Sequence, residues 1–180
     1  MTALQQLRLL QLSSAALPVG GFSYSQGLEW AVAAGWVTSE AQFCQWQRQQ
    51  IEQVLIPQEL PLLLRLYRAC RSNDLPAFGH WSQWLLACRD TRELREEEQQ
   101  RGAAMARVLA GLRLSPPEAW QASLKLTQSG GLAWAGRGWQ GTRRPRLLSL
   151  AWSGLESAVM AAVKLEPVSQ RSAQRLLAEF

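Results

Sequence analysis

Residues 90–112 read DTRELREEEQQRGAAMARVLAGL, and this stretch decides the fold class. It is built almost wholly from Arg, Glu, Gln, Ala, Leu and Met, side chains that give up little rotamer freedom in a helix. It lacks the alternating β-branched and aromatic residues of a half-buried strand. On a helix Arg89 stands four residues from Glu93, Arg92 from Glu96, and Glu97 from Arg101. Each such i,i+4 pair contributes about 0.2–0.5 kcal/mol. The spacing therefore predicts one long helix from Asp90 to Leu112 with a charged first half. That half reads either as a solvated, self-paired face or as a polar recognition surface or lining for hydrated cations. The interleaved arginines argue against a metal store.

The same composition continues outward in both directions. Towards the C-terminus, Pro116-Pro117 opens a fresh helix expected to end near Ser129-Gly130-Gly131, and Leu132 to Trp139 is short and Gly-interrupted. Gly141 to Pro145 reads as a loop. Leu147 to Leu165 forms an apolar helix with Leu148, Ala151, Leu155, Ala158, Val159 and Ala162 on one face. Pro167 breaks it, and a last helix starts near Ser169.

Towards the N-terminus, Leu75 to Ala87 places Phe78, Trp81, Trp84, Leu85 and then Cys88 at helical spacing, after a break and cap at Asn73-Asp74. Pro61 sits in the first turn of a helix reaching about Arg71. Before it, a helix from Thr38 or Ser39 to about Ile56 has Phe43, Trp46, Ile51, Val54 and Leu55 as inward candidates, and Pro57 is expected to end it. The first helix covers Thr2 to Ser13, with Leu4, Leu7, Leu10 and Gln11 on one face. Leu17-Pro18-Val19-Gly20-Gly21-Phe22 interrupts it. Ser23 then reads as an N-cap, with Gln26 completing a capping box, for a helix that stops at Gly35. The expectation is an all-α, single-domain helical bundle of about eight to ten helices over residues 1–180.

At 180 residues the chain is long enough to bury a core without disulfides or metal. Its charge of +5 and pI of about 9.7 admit an acidic partner surface or nucleic acid. The arginines, however, run from Arg8 to Arg175, many beside glutamates, and only Arg143, Arg144 and Arg146 cluster, with Arg137 nearby. The three cysteines, Cys44, Cys70 and Cys88, are far apart, and the N-terminus lacks the basic-then-apolar order of a secretion signal. A reducing cytoplasm is the natural reading. The most apolar stretch, Leu147 to Val163, is broken by Glu156 and small polar residues, so no membrane role is expected.

Reactive groups are scarce. His80 is the only histidine, placed among Phe78, Trp81 and Trp84, and a nucleophilic triad would have to use it. No HExxH, P-loop or GxGxxG occurs, and Gly130-Gly131 and Gly136-Arg137-Gly138 follow no strand. One histidine and three dispersed cysteines are a poor donor set for nickel or zinc, and the cysteines read as small core residues. Trp134, Trp139 and Trp152 are available either to the core or to an interface.

Three segments resemble the UreF family of urease accessory proteins: Leu9 to Glu29 (LLQLSSAALPVGGFSYSQGLE), Thr91 to Glu98 (TRELREEE), and Leu155 to Gln170 followed by Gln174. They stand in family order and span nearly the whole chain. The resemblance implies an all-α, non-enzymatic homodimer that binds a UreD/UreH-type accessory protein and recruits the GTPase UreG to the urease apoprotein. Nickel and GTP are then handled by the partners, and this chain binds no cofactor alone. Partner-binding candidates on the matching positions are Tyr24, Glu29, Arg92, Glu93, Arg95, Glu156, Lys164 and Gln170. Lys164 lies two turns from Glu156 on one helix face and reads equally as a dipole-favoured C-terminal lysine. Two departures stand out. Gly136 to Arg146 is more Gly- and Arg-rich than the family pattern, and the chain stops at Phe180 where members continue with a helical tail, implying weaker docking of the UreD/UreH-type partner. A second reading is a basic helical nucleic-acid-binding protein using Arg137 to Arg146, and a third is a carboxylate enzyme using Glu93 and Glu97.

Overall fold

The computed structural model describes residues 2–14, 16–20, 27–137 and 144–179. Among them the regular structure is helical. The elements are α1 (Ala3–Ser13), α2 (Leu28–Ala33), α3 (Glu40–Gln50), a π-helical segment (Ile51–Glu59), α4 (Leu60–Ser72) and α5 (Leu75–Ala87). There follow α6 (Arg92–Gly111), α7 (Glu118–Leu124), α8 (Gln128–Gly136), α9 (Arg144–Lys164) and α10 (Gln170–Glu179). The all-α expectation holds, and the long helix read from residues 90–112 is α6.

Short polar side chains set most helix starts by accepting an otherwise orphaned backbone N–H. Thr2 caps α1 in a full capping box with Gln5, and Ser39, Asp74, Thr91 and Thr127 cap α3, α5, α6 and α8. Asn73 in the left-handed region closes α4.

Several expected boundaries move. A helix running on from Ser23 cannot pass Gly27, whose φ of +88° is left-handed, so α2 starts only at Leu28; Ser23 and Gln26 lie outside the described residues. Gly35, at φ +77°, ends that stretch as expected. Pro57 does not end a helix. The chain runs from α3 into α4 through the π-helical segment, with the Leu60 N–H donating to Leu55 C=O five residues back. The wider i→i+5 turn accommodates the proline ring that an α-helical turn would reject. The helix after Pro117 stops at Leu124, and Gly130 and Gly131 lie inside α8, not at a helix end. Arg144 and Pro145 already belong to α9, Pro145 in the first turn where a missing N–H costs nothing.

Two faces also turn. Leu4, Leu7 and Leu10 are 63–67% exposed, whereas Leu12 and Ser13 are buried. α1 carries apolar residues on two sides, and it seats the side with Leu9 and Leu12 against Leu63, Tyr67, Leu132 and Leu147. In α9, Leu148 is exposed while Leu150, Ser149 and Ser153 are buried. The first half of that helix buries a different stripe from its second half, where Val159 and Ala162 face inward.

The reason is that α9 serves two cores. One cluster joins α4, α5, α6, α7 and α8 through Leu66, Phe78, Leu85, Met105, Leu109, Trp120 and Trp134, and takes Leu150 from α9. The other joins α2, α3 and α10 through Leu28, Phe43 and Leu176, and takes Val159 and Ala162. Trp134 is thus a core residue: it stacks 5.2 Å from Trp120, its Nε1–H donates to Leu114 C=O at 2.8 Å, and Arg137 lies 3.4 Å over its ring. Trp152 is half-exposed. Trp139 and Arg143 lie outside the described residues. Cys70 is buried and its thiol is pushed up to about 12 by desolvation, as a small core residue should be.

α6 packs closely at two glycines, against the turn that joins α7 to α8 and against α8 itself. A Cβ on Gly102 would stand 2.5 Å from Lys125 C=O and 2.6 Å from Thr127 N; one on Gly131 would stand 2.2 Å from Met105 Cγ. Alanine improves helix propensity by about 1 kcal/mol, but overpacking against backbone costs about 1–3 kcal/mol or more. Gly102→Ala is therefore expected to destabilise the protein by about 2 kcal/mol net, read as a lower urea midpoint at unchanged slope. A neutral or stabilised variant would show that α6 is not in backbone contact with the Lys125–Thr127 turn there.

Candidate functional site

The charged stretch of α6 divides by burial. Arg92 is exposed and its Nε donates to Glu96 at 2.7 Å, as the spacing predicts. Two residues beyond Glu96 the picture changes: Glu98 is 5% exposed and Arg101 9%. The second half is not a solvated face. Leu94, Glu98, Arg101, Met105 and Leu109 form the inward stripe of α6, and two of its positions are charged.

Glu98 is satisfied from three sides. Its Oε2 accepts from Arg89 Nη2 at 2.7 Å and Nε at 3.2 Å, and its Oε1 accepts from the Gln128 N–H at the start of α8 at 3.0 Å. Arg89 also donates from Nη2 to Glu59 Oε1 at 2.7 Å, at the last residue of the π-helical segment. The expected Arg89–Glu93 pair does not form, because Arg89 precedes the helix and reaches across to other elements. Burial alone would push the Glu98 carboxyl up; the charges of Arg89 and Arg101 and the donated hydrogen bonds outweigh it and hold it below the ordinary carboxylate range. Arg89 behaves correspondingly: desolvation opposes its charge, and the two carboxylates raise it further.

Glu97 stands in contrast. It is largely buried, its Oε1 lies 3.8 Å from Arg101 Nη1, beyond hydrogen-bond length, and that oxygen and Arg101 Nε have no hydrogen-bond partner. Desolvation dominates and pushes its carboxyl up, with Arg101 opposing and Glu98 reinforcing.

These groups form one wall of a cleft of about 770 Å³ between α2, α3, the π-helical segment and the start of α6. Glu29 from α2 and Glu93 from α6, distant in sequence, both line it, together with Trp30, Trp46, Gln50 and Cys88. Glu93 is held below its usual range by its own backbone N–H and the Thr91 hydroxyl. The π-helical segment separates this cleft from a second, apolar groove of about 370 Å³ lined by Ile51, Leu55, Leu148, Ala151, Trp152 and Leu155. Among the described residues no three His, Cys, Asp or Glu side chains are grouped to hold a metal ion.

The partner-binding candidates therefore split into two groups. Glu29 and Glu93 meet in the cleft, whereas Arg92 is exposed, pairs with Glu96 and is not part of the lining. Arg95 is not displayed: its Nη1 donates to the carbonyls of Arg89 at 2.6 Å and Asp90 at 3.3 Å, pinning the loop before α6. Glu156 and Lys164 lie on α9 and Gln170 at the start of α10, away from the cleft lining; Lys164 and Gln170 are exposed and Glu156 is half-buried. Tyr24 lies outside the described residues. Sequence reasoning missed Glu59, Glu98 and Arg101 as a unit. The available signal was a charged residue at two positions of an otherwise apolar stripe. His80 is exposed and packs its ring against Trp81 and Trp84.

The chain is similar to known proteins over nearly its full length. The family model described as UreF matches residues 37–180. A protein named urease accessory protein UreF from Pseudomonas putida (strain F1) is 56% identical over 174 residues, covering 97% of this chain and 78% of the relative. Proteins of the same name from Enterobacter sp. (strain 638) and Klebsiella pneumoniae (strain 342) are 53% and 52% identical over 176 residues, each covering 98% of this chain and 79% of the relative.

The two neighbouring glutamates are expected to respond differently to substitution. Glu98→Ala leaves the Gln128 N–H without its acceptor and Arg89 with Glu59 alone, and should cost about 3–5 kcal/mol. Glu97→Gln removes a desolvated charge with one loose partner and should change stability by less than about 1 kcal/mol. The pH dependence has opposite signs. The lowered Glu98 contributes stability that is full above the usual carboxylate range and is lost as pH falls through its depressed value. The raised Glu97 favours the fold at low pH and loses that contribution as pH rises through its elevated value. Denaturation of both variants between about pH 3 and 8, a window that brackets the ordinary carboxylate values, measures this. Equal losses for the two would contradict the assigned burial and pairing.

Proposed function

Because the chain belongs to the UreF family of urease accessory proteins, we propose that it is a non-enzymatic helical scaffold that bridges a UreD/UreH-type protein and the GTPase UreG on the urease apoprotein. In this reading nickel is cargo and GTP is a partner's substrate; this chain supplies docking surface and modulates the GTPase step through it. The observation that carries the reading is the convergence of Glu29 and Glu93, from two separate family-like segments, on one cleft. A wall fixed by Arg89, Glu59 and Glu98 gives that cleft a defined shape before any partner arrives, which lowers the ordering cost of docking.

The second family-like surface is the end of α9 and the start of α10. Lys164 closes α9, where a cation is favoured by the helix dipole, and it stays exposed rather than packing inward. The same helix presents Leu148 and Trp152 to solvent, and α2 presents Trp30, in T-shaped contact at 4.6 Å with Trp36. Exposed aromatic anchors of this kind suit an interface between copies in a homodimer. In this reading the chain works in the cytoplasm, where UreG and apo-urease would meet it. Residues Leu147–Lys164 are long and apolar enough to cross a membrane by composition, but they serve the two cores on one side and a groove on the other.

Co-expression of urease with its accessory proteins, with and without this chain, tests the reading. Urease nickel content and activity are expected to drop when the chain is omitted, and unchanged values at scarce nickel would reject it. Lys164→Ala is expected to leave folding stability within about 0.5 kcal/mol while weakening UreG capture or urease activation. Normal capture together with normal activation would remove Lys164 from the interface.

A further inference from the structure

The cleft carries chemistry that family membership does not specify. Among the described residues six carboxylates line it (Glu29, Glu59, Asp90, Glu93, Glu97 and Glu98) against the two guanidiniums of Arg89 and Arg101. Its field is therefore negative in a chain whose net charge is +5. Two indole rings, Trp30 and Trp46, share the lining, and Trp30 is 60% exposed. A cation over an indole face beside a carboxylate is held by both.

A single small cation is a poor match. Among the described residues the carboxylates are not gathered into a metal-holding group. Those nearest the inner wall, Glu59 and Glu98, are already engaged by Arg89. The unsatisfied groups are of two kinds. Glu97 Oε1 lacks a donor, and the Nε–H of Arg101, itself nine-tenths buried in the same wall, lacks an acceptor. Buried polar atoms without partners are rare enough to need a reason. One kind of group supplies both counterparts after a small rotation of these side chains: a basic residue within a peptide, whose side-chain cation faces Glu97 and whose backbone carbonyl accepts from Arg101.

We infer that this cleft is the socket for a basic peptide segment of a partner protein, an Arg or Lys side chain entering beside Trp30 and Trp46 towards Glu93 and Glu97. The inference rests on the docking role proposed above and names the chemistry of the docked element. Arg fits the site better than Lys, because its planar guanidinium stacks on an indole while donating in plane to carboxylates.

The test uses the full chain, labelled at its tryptophan indoles, and two synthetic tetrapeptides, acetyl-Gly-Arg-Arg-Gly-amide and acetyl-Gly-Glu-Glu-Gly-amide. The arginine peptide is expected to shift the Trp30 and Trp46 indole N–H resonances saturably, less at high salt, and the glutamate peptide to leave them in place. Replacing Glu93 and Glu97 together by Gln should weaken arginine-peptide binding about fivefold or more, whereas Glu118→Gln on α7 should not. If the double variant loses its helical circular dichroism, the exposed Glu93→Lys variant carries the same expectation. Equal shifts with both peptides, no shift at millimolar arginine peptide, or undiminished binding by the charge variants would overturn the inference. Peptide binding with no effect of the chain on urease activation would reject the scaffold reading alone. Intact urease activation with no peptide binding would reject the basic-segment inference alone.

Discussion

A carboxylate at position 98 ties together four parts of the chain that are far apart in sequence. It accepts two hydrogen bonds from Arg89, which in turn holds Glu59 at the end of the π-helical segment, and a third from the backbone N–H that opens α8. Removing two charges from water costs several kcal/mol per ion, and only close pairing with every lone pair used offsets it. Here the pairing is nearly complete, so the network fixes geometry more than it adds net stability. A hydrophobic trio of equal volume would pack as well, but it would not specify where the π-helical segment ends relative to α6 and α8.

That fixed point has consequences on both sides. The helix from α3 to α4 is continuous in space yet changes turn at Ile51–Glu59, and no residue of the wider stretch is buried. It stands as a partition between a polar cleft and an apolar groove, with Gln50, Val54 and Glu59 facing both. Behind it, α6 comes within backbone contact of the turn joining α7 to α8, where a Cβ on Gly102 would meet Lys125 C=O and Thr127 N, one residue before the Gln128 N–H that binds Glu98.

α9 links this region to the second core. Its first half packs with α4 and α8, its second with α2, α3 and α10, and it ends at Lys164. Glu40 at the start of α3 pairs with Arg175 on α10, closing the second core from outside. α2, which brings Glu29 and Trp30 to the cleft, packs on α9. The cleft and the Lys164 end of α9 are therefore carried by one set of packed helices.

The sequence by itself determined the all-helical class, most helix starts and the long charged helix, because propensity, spacing and capping act within a few residues. Asp74 and Asn73 do their work locally and were legible for that reason. The resemblance of three segments to one family was legible too, and it matches the near-full-length similarity to UreF proteins. Only the tertiary structure decided that Pro57 sits in a π-helical turn, that Gly131 lies against Met105 rather than at a helix end, that Leu4, Leu7 and Leu10 face outward, and that Arg89 prefers Glu59 and Glu98 to Glu93. Each of these turns on which surface another helix covers. A one-dimensional pattern carries the period of a face, whereas the neighbour that desolvates it, and so decides whether a charge is solvated or locked, exists only once the helices have packed.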